Sequence, residues 1–282
     1  MKSLKEYICE GLLDRVKNKE VNHKIFIEEF LEENYKIRGS YTVNDTNKRL
    51  IIDVNGDIDV KNENITTLTN EFFEFGKVSG YFKFQCCSLL ESLEGAPKEV
   101  GTDFDCLNCK SLKSLKGAPE KVGGSFHCTN CDTLTSLKGA PKEVGEVFDC
   151  SNCKSLNTLK GAPEKVGGYF LCGDCKSLRT LEGAPEKVGG IKCTGCDKLK
   201  DLKGVPQKIR LSFYCSYCKS LETLEGAPEK VDGNFYCDNC ESLNTLKGAP
   251  KKVRGSFNCS ECGAQFTEEY VKKYTSAKKI IV

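Results

Sequence analysis

Residues 126–147 read FHCTNCDTLTSLKGAPKEVGEV, and residues 148–153 begin the same pattern again with FDCSNC. The unit runs Phe126-x-Cys128-x-x-Cys131-x-x-Leu134-x-x-Leu137-x-Gly139-Ala140-Pro141-x-x-Val144. Its first cysteine recurs at 106, 128, 150, 172, 193, 215, 237 and 259. The spacing is 22 residues except for 21 between Cys172 and Cys193, where one residue is missing before Ile191. The second cysteine recurs from Cys87 to Cys262. All eight prolines of the chain fall at one place in the unit. A fixed period of this length is the signature of a solenoid.

The Phe-x-Cys step alternates in and out, as a short strand does. Leu134 and Leu137 are spaced to point inward around the next bend, and Ala140 and Val144 continue the core on the far side. Proline lacks an N–H, so it marks a turn outside the ladder. The glycine pairs Gly123-Gly124, Gly167-Gly168 and Gly189-Gly190 suit a return turn with positive φ. A single coil cannot bury its apolar side, whereas stacked coils bury one column. The reading is one parallel column over residues 57–266 with one short strand per coil. At about 4.8 Å per coil it is a rod on the order of 45 Å long.

The ends depart from the repeat. Residues 1–56 read as an α/β cap. It has an amphipathic helix over 3–17, a second helix from about Asn22 to Asn34, and strands at Tyr41–Val43 and Leu50–Val54. Residues 267–282 read as a helical cap starting at Thr267, with Lys279–Val282 as a last strand.

The unit resembles the leucine-rich repeat family. Phe126 and Cys128 match its strand positions, Cys131 its Asn/Cys position, and Leu134 the leucine that follows. The Cys-x-x-Leu-x-x-Leu order with Pro-x-x-Val is similar to BspA-like bacterial repeats, and to repeats carried by bacteriophages and gut bacteria. The resemblance implies a right-handed, mainly β solenoid with short helical caps, and a non-enzymatic interaction scaffold. For a phage protein it further implies one that binds and inhibits a host defence protein in the host cytoplasm. A structural, surface or virion-associated protein is the alternative. The chain departs from the family in lacking a helix-length convex segment, so strong horseshoe curvature is not implied.

With 42 basic against 40 acidic residues, the chain lacks the excess that marks general nucleic-acid binding. No apolar run has the length of a membrane span or a signal peptide, which points to the cytoplasm. Reduced thiols are then expected from the 19 cysteines. Cys-x-x-Cys pairs suit zinc, redox chemistry or buried small hydrophobes. The first regular coil favours burial, because Phe84 takes the first-cysteine place there and Val60 takes it one coil earlier. No metal or other cofactor is expected. Cys86 falls outside the register and is expected to point outward as the most reactive thiol, together with Cys9 if that is exposed.

No catalytic motif accompanies the two histidines, His23 and His127. Candidate binding residues are the outward strand positions. Asp103, Asp105 and Asp149 make the first half acidic, with His127 among them, and Tyr169, Tyr214, Tyr217 and Tyr236 make the second half aromatic, with Leu171 and Asp238 among them. Solvent-facing aromatics on a rigid sheet anchor protein partners, although tyrosine also simply suits strands. The Asn residues before the second cysteine also suit an inward ladder onto the backbone. Lys116, Glu120 and their equivalents read as a solvated face of mixed sign.

Overall fold

The computed structural model describes residues 31–32, 34–45, 50–61, 63–68 and 73–282. The amphipathic segment 3–17, most of the segment 22–34, Cys9 and His23 lie outside the described residues. Strands β1 (Tyr35–Asp45) and β2 (Leu50–Val60) form an antiparallel pair in unbroken register. From β2 onward every pairing is parallel. β2 pairs with Phe73–Val78 over its first half and with Phe82–Lys83 near its end.

Each regular coil then carries two short strands rather than the single one expected. Phe126–His127 pairs with Phe104–Asp105 and Phe148–Asp149. Glu143–Val144 pairs with Lys121–Val122 and with Lys165–Val166. The second strand was hidden because only Val of the Pro-x-x-Val step is apolar, too short a signal for period-two alternation. In the coils at 165–171, 187–192 and 252–258 the two strands fuse into one.

The core is a set of columns. Phe104, Phe126 and Phe148 stack with ring centroids 5.0 and 5.1 Å apart and planes within 7°. Near-parallel rings at this distance contribute about 0.5–1.5 kcal/mol per pair beyond burial. Ile191 interrupts the stack, which resumes at Phe213–Phe235. Leu134, Leu137 and Val144 are buried as the repeat predicts.

The positive-φ glycine is the one before Ala-Pro, not the Gly pair. Gly139 has φ 91°, and a Cβ there would sit 2.6 Å from the Leu115 backbone. Gly123 instead allows close approach: its Cβ would lie 2.0 Å from the Gly101 carbonyl oxygen.

At the far end Thr267 caps the helix Glu268–Lys272, accepting from the Tyr270 N–H at 3.2 Å. The strand Ser276–Ile281 adds in parallel to Lys252–Asn258. No helix among the described residues is long and apolar enough to cross a membrane.

Candidate functional site

The two cysteine columns are buried and hydrogen-bonded. From Cys131 onward the second thiol of each pair donates to the carbonyl of the first cysteine one coil back: Cys153 to Cys128 at 3.2 Å, Cys175 to Cys150 at 3.3 Å, Cys218 to Cys193 at 3.2 Å. First-position thiols donate forward, as Cys150 does to the Leu171 carbonyl at 3.3 Å. A thiol is small enough for the core and supplies a weak donor to a carbonyl lone pair. Val or Ala would supply only the volume. Burial pushes the Cys128 and Cys150 thiols well up from their ordinary value, which leaves them poor nucleophiles. Among the described residues, no group of three or more His, Cys, Asp or Glu side chains is disposed to hold a metal ion.

The residue before the second cysteine is left-handed in every regular coil. Asn108, Asn130 and Asn152 have φ between 56° and 61°. Their side chains bond to one another, Asn130 Nδ2 to Asn108 Oδ1 at 2.9 Å and Asn152 to Asn130, rather than to the backbone. Cys86 is therefore in register: it takes this same left-handed position, φ 59°, at the head of the Asn ladder, and it is exposed. Tyr217 occupies it too, with φ 60° and 54% exposure. Left-handed geometry costs a bulky L-residue roughly 1–2 kcal/mol.

The outward row after each Phe runs, in register, Lys83, Asp105, His127, Asp149, Leu171, Lys192, Tyr214, Tyr236 and Asn258. Its acidic members hold the fold. Asp105 and Asp149 accept the N–H groups of Leu107 and Ser151, at 3.1 and 2.9 Å, closing the turn into the cysteine pair. Asp103 accepts the Ser125 N–H of the next coil at 2.7 Å. Asp238 accepts from Ser216 Oγ at 2.6 Å and from Asn239 Nδ2 at 3.0 Å. His127 lies between Asp105 and Asp149 on neighbouring strands.

The aromatic half is different. Tyr214 and Tyr236 meet edge to face at 5.5 Å. By repeat count Tyr169 lies two coils away from Tyr214, yet the rings are only 6.5 Å apart. Tyr169 pairs with Gly190, and its ring leans over that glycine: a Cβ there would lie 2.3 Å from Tyr169 Cε1. Three half-exposed rings thus join across four coils, with Leu171 beside them on the row and Tyr217 on the next turn. Sequence reasoning missed Gly190, although the residue deleted before Ile191 marked the spot.

No protein-family model, curated protein or solved structure matches the chain.

Proposed function

We propose that this chain is a non-enzymatic scaffold of the leucine-rich-repeat type, which grips a protein partner on its Phe-side strand face. The observation that carries the reading is the joined cluster Tyr169–Tyr214–Tyr236. Half-exposed tyrosines on a rigid sheet offer large contact area at little entropy cost, which is how hot spots are built. Tyr217 adds a ring held in a conformation that disfavours it. Strain of that kind persists where the fold over-determines it and often marks a working surface.

The acidic residues count less. Asp103, Asp105, Asp149 and Asp238 are engaged with turn amides, strand amides and neighbouring side chains, which supports a structural role and argues against acid–base catalysis. Action in the cytoplasm on a host defence protein, by a phage-encoded chain, is the specific form we favour on the likeness of the repeat. Genes neighbouring the coding sequence test it. The direct experiment is capture from a host lysate, with wild-type chain against Tyr169→Ala, Tyr214→Ala and Tyr236→Ala. Loss of the captured protein with all three variants is expected, and its retention by all three would refute the face assignment.

A further inference from the structure

The strand that precedes the Phe face carries a second pattern. Its first residues, in register along the rod, are Lys77, Glu99, Lys121, Glu143 and Lys165. The signs alternate, and Lys77–Glu99 and Lys165–Glu143 close as ion pairs at 2.9 and 3.5 Å. After Lys165 the alternation stops. Lys165 pairs with Lys187, Lys208 with Lys230, and Lys230 with Lys252. The Leu211 N–H, bonded to the Gly189 carbonyl at 2.8 Å, ties the coil of Lys208 onto that of Lys187. Like charges directly opposite on neighbouring strands destabilise a sheet.

The structure offers little compensation. Lys165 has Glu143, and Lys230 has Asp232 at 3.2 Å. Among the described residues Lys187, Lys208 and Lys252 have no ion pair, and all three are exposed. Two residues after Lys208 and Lys252 stand Arg210, which donates to the Gly167 carbonyl at 3.0 Å, and Arg254, which pairs with Asp232 at 3.2 Å; the same places after Lys165 and Lys187 are Gly167 and Gly189. The near-neutral composition concealed this because the excess is confined to one column of the C-terminal half.

We propose that this lysine ladder docks an acidic protein segment lying along the rod axis. Five coils at about 4.8 Å span about 19 Å. A helix with one carboxylate per turn repeats every 5.4 Å and covers that length in about 13 residues. The mismatch accumulates to roughly 2 Å over the stripe, well within the reach of a lysine side chain. A nucleic-acid strand fits less well. Single-strand sites interleave aromatic platforms with the basic groups, and this column has none. The ladder lies on a different strand segment from the tyrosine cluster, so it does not depend on that reading.

The test uses the full chain and a labelled helical peptide of about 16 residues with glutamates one turn apart, followed by fluorescence anisotropy. A glutamine version of the peptide and a single-stranded oligonucleotide of equal charge are the other probes. Salt-sensitive binding of the acidic peptide is expected, weakened about tenfold or more by Lys187→Glu or Lys208→Glu and little by Lys121→Glu. Lys208→Glu should also raise the melting temperature, since it removes the like-charge neighbours. Unchanged binding in the ladder variants, equal binding of the glutamine peptide, or stronger binding and displacement by the oligonucleotide would overturn the proposal.

Discussion

The Tyr169 ring reaches over Gly190 to within 6.5 Å of the Tyr214 ring, closing a gap that the repeat count places between them. The deletion before Ile191 shortens that coil, and the missing side chain at 190 leaves the space. Gly190→Ala would set a Cβ 2.3 Å from Tyr169 Cε1 and 2.7 Å from the Ser212 carbonyl oxygen. Relief requires both ring and backbone to shift, so we expect a loss of about 1–3 kcal/mol in stability and weaker partner binding. Chemical denaturation measures the first. A variant as stable as wild type would show that the approach is not this close.

The cysteines should behave as core residues with a weak donor. Cys128→Val is expected to cost less than about 1.5 kcal/mol, since Val60 fills the equivalent place in an earlier coil. Cys153→Ala loses both volume and the bond to the Cys128 carbonyl, and should cost about 2 kcal/mol. Purified protein should hold far less than one zinc per two cysteine pairs, and chelation should leave the melting temperature unchanged. Stoichiometric zinc with unfolding on chelation would contradict the account.

Tyr217 separates stability from function. Asparagine, the residue at this position in four other coils, tolerates φ near 60°. Tyr217→Asn should therefore raise stability by about 1 kcal/mol while weakening partner binding. If stability falls instead, the ring contributes to the fold and the strain argument fails.

Stability should collapse in alkali. Free thiols titrate near about 8.5, whereas burial pushes Cys259 up to about 12 and Cys106, Cys128 and Cys150 well above their ordinary value. A raised folded value means the contribution is complete below about pH 8.5 and lost as pH climbs through the window above it. Melting temperature should be flat from about pH 6 to 8 and fall steeply above about pH 9. Thiol reagents should reach the buried cysteines from Cys87 to Cys259 only at the rate of unfolding, whereas the exposed Cys86 should label fast. Fast labelling of many thiols at neutral pH would contradict their burial.

Much of the architecture was legible because period and burial coincide: Phe126, Cys128, Leu134, Leu137 and Val144 all sit in the column their spacing assigns. What escaped were features that depend on the neighbouring coil. A two-residue Lys-Val strand has no periodicity of its own. The left-handed turn could have been found from the recurrence of Asn108, Asn130 and Asn152, and its discovery places Cys86 in register. Asp103 and Asp149 read as surface acids until their amide partners are seen, because those bonds join a side chain to backbone in a turn or a neighbouring coil. The lysine ladder was present in the sequence but becomes meaningful only when register shows like charges facing one another.

The central claim, that the tyrosine cluster is the partner-binding face, is tested most directly by quantitative capture from a host lysate. Wild type is compared with the Tyr169→Ala/Tyr214→Ala/Tyr236→Ala variant and with Lys116→Ala on the opposite side, each checked for its melting temperature. Single truncations at a hot spot cost about 1–3 kcal/mol of binding, so the triple variant should lose the captured protein while melting within a few degrees of wild type. Lys116→Ala should retain it. A triple variant that stays folded and captures the same protein at wild-type yield would contradict the account and place the site elsewhere on the chain.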